Sequence, residues 1–91
     1  MKKGEILAEL KKAIYEVQDL SGEKYFEINE HTIPIGNLPG FDSFRVLETL
    51  FIVSTALGLE IEDDINLFIS PDENRALQLH EISDRIYKQI K

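Results

Sequence analysis

A segment rich in proline and glycine divides the chain and ends directly at an apolar stretch with helical spacing. Two prolines and two glycines lie between residues 34 and 40, Asp42-Ser43 follows, and the apolar pattern runs from Val46 to Leu57. Proline and glycine disfavour helix interiors, whereas aspartate and serine are preferred at helix N-termini because their side-chain oxygens accept hydrogen bonds from unpaired backbone N–H groups. The segment therefore excludes one long helix and predicts a loop followed by a helix from about Ser43 to Leu57, stopped by Gly58.

The two ends of the chain carry amphipathic patterns. Near the start, apolar residues recur at helical spacing until Ser21-Gly22, which predicts a helix of about five turns. Its apolar positions are Ile6, Leu7, Leu10, Ile14 and Val17. The last apolar set comprises Leu79, Ile82, Ile86 and Ile90. Both sets predict helices that bury one face in a common core.

A helix-start motif precedes the last apolar set. Ser70-Pro71-Asp72-Glu73 places serine at the N-cap, proline at the first helical position and glutamate at the third, which completes a capping box. The motif predicts a helix that begins near residue 71. A short third helix followed by a fourth, and one continuous helix, are both compatible with these residues.

Residues 21–42 form a long connection that is too polar, and too often interrupted by proline and glycine, for a helix. Its apolar members predict that it packs onto the domain; they are Tyr25, Phe26, Ile28, Ile33, Ile35 and Leu38. Connections of this length are uncommon in compact domains and are often functional.

The composition limits the class of protein. Ninety-one residues fit one domain, which we place at 1–91. The net charge of −7 argues against a nucleic-acid ligand and favours basic partners. No stretch approaches the roughly 20 apolar residues of a membrane span, and the first residues lack a signal-peptide pattern. The absence of cysteine excludes disulfides and thiolate chemistry. We expect a cytoplasmic monomer without membrane insertion.

Ser43 is the candidate site of modification. At the start of a helix its hydroxyl is expected to face solvent, where unpaired N–H groups and the helix dipole favour an attached anion. N-cap preference alone also accounts for Asp42-Ser43 as a purely structural pair. The long loop, the preceding Gly40 and the helix that follows favour an attachment point for a phosphodiester-linked group.

Other chemistries find little support in the sequence. No Gly-x-Ser-x-Gly elbow surrounds Ser43, so we reject a serine hydrolase. His31 and His80 stand alone, and the acids of residues 60–64 lack the order of a calcium loop. We therefore predict no catalytic residue and no metal site.

A projection at about 100° per residue predicts which side of the second helix meets the core. The inward side is predicted to carry Val46, Leu47, Leu50, Val53, Ser54 and Leu57. The outward side is predicted to carry Arg45, Glu48, Thr49, Ile52 and Thr55, with Phe44 and Phe51 flanking. An outward Ile52 is either an ordinary exposed apolar residue or a contact point for a partner.

Two segments carry a family resemblance. They are Leu38-Pro39-Gly40-Phe41-Asp42-Ser43-Phe44, continued by Leu47, Glu48 and Leu50, and Leu57-Gly58-Leu59-Glu60-Ile61. On these residues the chain resembles the acyl carrier proteins, whose signature is Gly-x-Asp-Ser-Leu, then a helix and a Gly/Phe-x-x-Ile turn. The resemblance covers essentially the whole chain, although only the serine segment is specific. It implies an all-α four-helix bundle with a long loop between helices 1 and 2 and a short helix 3.

The resemblance also implies a cofactor and partners. In that family the serine carries 4′-phosphopantetheine from coenzyme A, and acyl groups are held on its thiol as thioesters. The matching positions are Ser43 for the attachment and Asp42 and Phe44 as its motif neighbours. The family docks its partners on the second helix, which implies roles for Arg45, Glu48, Phe51, Ile52 and Thr55. The implied partners are a phosphopantetheinyl transferase and acyl-loading, ligase or condensing enzymes.

Two residues depart from the family pattern. Phe44 replaces the usual leucine after the serine, and Arg45 stands where an acid is common. The charges of Arg45 and Glu48 cancel, so the second helix lacks the acidic surface that fatty-acid synthase partners recognise. The resemblance therefore implies a dedicated pathway with different partner enzymes. The acids of residues 60–73 are then an alternative source of electrostatic steering. One hypothesis for Arg45 is that it neutralises the phosphate of the arm.

Two other functions are compatible with the sequence. One is an acidic helical adaptor that binds a protein through the second helix, with Ser43 only an N-cap. The other is a carrier-like domain that has lost modification and serves as a scaffold.

Overall fold

Helices make up most of the chain that the computed structural model describes, which comprises residues 3–20, 22, 27–58, 60, 67–70 and 73–90. Within these ranges the helices are α1 (Lys3–Leu20), α2 (Pro34–Asn37), α3 (Ser43–Leu57) and α4 (Leu79–Ile90). A two-residue strand β1 (Ile69–Ser70) pairs antiparallel with β2 (Arg75–Ala76). The predicted helical class is therefore confirmed, with a small hairpin that we did not predict.

The core lies where α1 meets both α3 and α4. The predicted apolar positions of α1 and α4 are buried, apart from Leu7, which is half-buried, and Ile90, whose side chain lies outside the described set. The buried ones are Ile6, Leu10, Ile14, Val17, Leu79, Ile82 and Ile86. Each such side chain contributes about 1.5–3 kcal/mol through the area it removes from water. α1 is thus the helix on which the others assemble.

The connection between α1 and α3 is anchored at several points. Ile28 and Leu38 are buried, Ile33 and Ile35 are half-buried, and Tyr25 and Phe26 lie outside the described residues. We predicted no helix here, and the structure has the single turn α2. Pro34 favours the start of that turn, but Gly36, at φ +117°, leaves the helical region and prevents its extension.

The first part of this connection also completes the start of α4. The amide N–H groups of Leu79 and His80 donate to the carbonyl oxygens of Thr32 and Glu30, at 2.9 and 3.0 Å. On the other side, the Ile28 N–H donates to the Tyr15 hydroxyl at 2.9 Å. The bonds of Leu79 and His80 satisfy donors that a helix start leaves unpaired, and all three bonds fix the loop against two helices.

The predicted helix start at Ser70-Pro71-Asp72-Glu73 is wrong, because the described residues on either side of it, Ser70 and residues 73–76, are not helical. Pro71 and Asp72 lie outside the described residues. Ser70 ends β1, and its hydroxyl accepts a hydrogen bond from the Glu73 N–H at 3.3 Å, as an N-cap would. The chain then turns at Asn74, whose φ of +51° is incompatible with a right-handed helix, and enters β2. Helix α4 begins at Leu79, so a continuous helix from residue 71 is excluded. Of the residues described between α3 and α4, which are 60, 67–70 and 73–78, Leu67 has the 3₁₀-helical conformation. Residues 61–66, 71 and 72 lie outside the described set, and with them most of the segment where a short helix was expected.

An ion-pair cluster ties the hairpin to α4. Arg75 of β2 donates to Glu73 at 2.7 Å and to both carboxylate oxygens of Glu81 at 3.2 and 2.8 Å. The Glu81 carboxylate also accepts from the Gln78 N–H at 3.0 Å. Hydrogen bonds from Arg75, and then from Gln78, lower the pKa of Glu81 from 4.5 to about 2. The same contacts raise the pKa of Arg75 above its ordinary value.

This cluster is expected to stabilise the protein in a pH-dependent way. Because the folded-state pKa of Glu81 is depressed, its contribution is complete above pH 4.5 and is lost as the pH falls towards 2. The Tm difference between the wild type and Glu81→Gln, measured by circular dichroism, should therefore be present at pH 7 and shrink below about pH 4.5. Glu16→Gln, on the exposed side of α1, is the control. A Tm difference that stays constant down to pH 2.5 would refute this assignment.

Candidate functional site

Ser43 is the first residue of α3, and its side chain is exposed. The N-cap is Asp42, whose backbone is extended and whose Oδ1 accepts a hydrogen bond from the Arg45 N–H at 3.1 Å. The interpretation of Ser43 as the N-cap is therefore wrong. Only the residue just before the first helical one has the extended backbone that returns its side chain to the first turn. The Ser43 hydroxyl is left without that structural role.

The first turn of α3 leaves two backbone donors beside this hydroxyl. The N–H groups of Arg45 and Val46 are bonded to the Asp42 side chain and carbonyl oxygen, the latter at 3.0 Å. The N–H groups of Ser43 and Phe44 have no acceptor among the described residues. These donors and the positive end of the helix dipole favour negative charge at this position.

An apolar face of α3 begins beside Ser43. Phe44 is 69% exposed, Leu47 one turn beyond Ser43 is 43% exposed, and Phe51 is 68% exposed. We had placed Leu47 in the core, and that prediction is wrong. We name Phe44, Leu47 and Phe51 the apolar face. Exposed large apolar side chains that adjoin one another on a helix are typical of surfaces that contact other proteins.

The inward side of α3 is rotated by about 50° from the predicted one, at 100° per residue. Its buried residues are Val46, Thr49, Leu50 and Val53. Thr49 was predicted to face outward but is 0% exposed, because its hydroxyl donates to the Arg45 carbonyl at 2.8 Å and needs no water. Ile52 was also predicted to face outward and instead packs, half-buried, against the core. Ser54 and Leu57 are half-buried.

The remaining predicted docking residues surround the apolar face to different extents. Thr55 is exposed and Glu48 is half-exposed. Arg45 is half-buried, and its Nη1 donates to Gln18 Oε1 at 2.8 Å and to the Pro39 carbonyl oxygen at 3.1 Å. Since Arg45 and Glu48 are the only charged residues between positions 43 and 57, this helix carries no net charge.

Two residues that shape the site were not among the predicted site residues. Phe41 is 5% exposed and stacks on Phe68, with ring centroids 5.9 Å apart, which anchors the chain just before Asp42. Gln18 is buried in α1 next to Val17. It lies four residues after Ile14, at an apolar-stripe position, and a polar residue at such a position is the signal that identifies it.

The two histidines, His31 and His80, stand alone in the sequence but lie next to each other in the structure. Their rings meet edge to face with centroids 5.6 Å apart. His31 Nδ1 and His80 Nε2 lie 3.2 and 2.8 Å from the same oxygen, Gln78 Oε1. They fasten the loop to α4. No group of three or more His, Cys, Asp or Glu side chains suited to a metal occurs within the described ranges.

The exposed Ser43 hydroxyl and the adjoining apolar face are the features that bear on function. Among the helices described, none combines the length and apolarity needed to cross a bilayer. No family model matches the chain, and no curated protein or solved structure does.

Proposed function

We propose that the protein is an acyl carrier protein in which Ser43 bears a covalent 4′-phosphopantetheine arm. The observation that carries the proposal is the exposed Ser43 hydroxyl at the first position of α3, where Asp42 already performs the capping. The resemblance of residues 38–44 to the serine segment of carriers supports the same assignment. The proposal includes the carrier-type four-helix bundle with a short helix between α3 and α4.

The environment of Ser43 suits a tethered phosphodiester. The arm would add a negative charge next to the unpaired N–H groups of Ser43 and Phe44. A charge at a helix N-terminus is favoured by about 0.3–1 kcal/mol when exposed. The reactive thiol would belong to the arm, so the protein itself needs only to anchor it and to be recognised.

The apolar face supports a docking role for α3. A phosphopantetheinyl transferase acting on Ser43 must cover Phe44 and Leu47, which adjoin it. The same face, with Glu48 and Thr55 at its edge, would then meet the acyl-loading, ligase or condensing enzymes. Since the helix has no net charge, apolar contact rather than charge attraction supplies most of this docking energy.

A protein-binding adaptor without modification is the second candidate. The exposure of Phe44, Leu47 and Phe51 favours it as well, because such a face suits any protein partner. The adaptor and the unmodified scaffold share one property that the carrier lacks: neither needs a reactive Ser43.

Mass spectrometry of the intact protein separates these functions. After incubation with coenzyme A and a broad-specificity phosphopantetheinyl transferase, the wild type is expected to gain the mass of one arm. The gain should disappear in Ser43→Ala and persist in Ser54→Ala, the other serine of α3, whose hydroxyl donates to the Phe51 carbonyl. A wild type that gains no mass would support the adaptor.

A further inference from the structure

Two side chains, from α1 and α3, meet at the carbonyl oxygen of Pro39. Arg45 Nη1, from the first turn of α3, donates to it at 3.1 Å, and Gln18 Nε2, from the last turn of α1, donates to it at 3.0 Å. Arg45 Nη1 also donates to Gln18 Oε1 at 2.8 Å. The three contacts form a closed triangle, and we name Gln18, Pro39 and Arg45 the Pro39 clamp.

The clamp is shielded from water on one side. Gln18 is only 5% exposed, so its amide has little access to solvent partners that would replace Arg45 and Pro39. A buried polar group that loses its partner carries a full desolvation penalty, which keeps such networks closed.

Arg45 holds both ends of the segment that leads to Ser43. Its side chain binds Pro39, and its backbone N–H binds the Asp42 carboxylate at 3.1 Å. Between these points the Phe41 N–H donates to the Leu38 carbonyl at 3.3 Å. Arg45 therefore restrains residues 39–42 at both ends, while the stacking of Phe41 on Phe68 holds them in the middle.

We infer that Arg45 is a positioning residue: together with Gln18 it fixes residues 39–42 and so presents the Ser43 hydroxyl to a modifying enzyme. Its role in modification rests on the proposed function, whereas its effect on the loop rests on the geometry alone. In this inference the Arg45 guanidinium binds Gln18 and Pro39 of the protein itself. It replaces the hypothesis that Arg45 neutralises the phosphate of the arm.

The two roles of Arg45 predict different kinetics of modification. A loosened clamp lowers the fraction of molecules that present Ser43 correctly. KM then rises in inverse proportion to that fraction, and kcat stays unchanged. A guanidinium that touched the transferred phosphate would act in the transition state, and its loss would lower kcat.

The test compares Arg45→Met and Gln18→Met, which replace each side chain by an apolar one of similar length. Lys12→Met is the matched control, since it removes the same positive charge from an exposed position of α1. With coenzyme A and a broad-specificity transferase, both clamp variants are expected to raise KM about threefold to tenfold, with kcat within about twofold of the wild type. Lys12→Met should match the wild type.

Hydrogen exchange gives a readout that does not depend on modification. Exchange of the Phe41 amide is expected to accelerate by about threefold or more in both clamp variants, because this donor lies inside the clamped segment and its acceptor, the Leu38 carbonyl, directly precedes that segment. If Gln18→Met does not fold, Arg45→Met alone tests the clamp through KM, kcat and Phe41 exchange. Arg45 is only half-buried, so this variant is expected to fold.

Several outcomes would overturn the clamp. In the kinetics, these are a KM that does not change in the clamp variants, or a kcat that falls while KM stays the same. A change in Arg45→Met that a folded Gln18→Met does not share would also overturn it, as would unchanged exchange of the Phe41 amide in a folded clamp variant. A wild type that is never modified would refute the proposed function instead. In that case the exchange rate of the Phe41 amide would be the only test of the clamp.

Discussion

A Ser43→Ala variant is expected to lose all modification by phosphopantetheine and to keep the stability of the wild type. The loss follows because the phosphodiester needs the hydroxyl oxygen. The unchanged stability follows because Asp42, not Ser43, caps α3, and alanine is at least as good a helix former as serine at an exposed position. We expect the free energy of unfolding to change by less than about 0.5 kcal/mol.

Asp42→Ala is the matched control and should behave in the opposite way. It removes the oxygen that accepts from the Arg45 N–H, which is expected to lower the free energy of unfolding by about 0.5–2 kcal/mol. The Asp42→Ala variant keeps the Ser43 hydroxyl, so its modification should continue, although more slowly than that of the wild type. Urea unfolding followed by circular dichroism, together with intact mass, measures both effects.

The adaptor function predicts a different result for this pair of variants. If neither the wild type nor Asp42→Ala gains mass, the carrier function is refuted. If Ser43→Ala destabilises the protein as much as Asp42→Ala does, the assignment of the cap to Asp42 is wrong. The two variants thus test the function and the local structure separately.

The second large effect is expected at Leu50. This side chain is completely buried, and Leu50→Ala should lower the free energy of unfolding by about 2–5 kcal/mol through lost burial and the cavity left behind. That is a large fraction of the roughly 5–15 kcal/mol that typical domains possess. Urea unfolding of the unmodified protein measures it directly.

Leu47→Ala is the control from the same helix and the same residue type. Because Leu47 is 43% exposed on the apolar face, we expect its replacement to cost less than about 1 kcal/mol of stability. It should instead raise the KM of the transferase about fivefold, equivalent to roughly 1 kcal/mol of docking energy. Equal destabilisation by the two variants would show that α3 turns its other side to the core.

The ends of α3 were predictable because their causes are local. Asp42 and Ser43 mark the start, and Gly58 marks the end by adopting φ +66° and donating its N–H to the Ser54 and Thr55 carbonyls. These preferences reside in the residues themselves and need no tertiary partner. The exposure of Ser43 followed from the same signals.

The rotation of α3 and the region before α4 were not predictable in this way. Apolar residues surround α3 on nearly every side, so periodicity alone does not choose between Leu47 and Thr49 for the core. At Ser70 the local hydrogen bond to Glu73 formed as predicted, but Asn74 and the contacts of Arg75 turned the chain into a hairpin. The clamp and the histidine pair join residues far apart in the sequence, which only the folded chain brings together.

The packing of α1 against α4 has a consequence for the order of events during synthesis. These helices are separated by everything from residue 21 to residue 78, so the first one leaves the ribosome long before the one that covers it. Until then α1 and α3 keep an apolar side exposed to solvent or to a chaperone. Folding must end with the arrival of α4, and contacts between such distant segments make this domain slower to fold than a bundle of sequential neighbours.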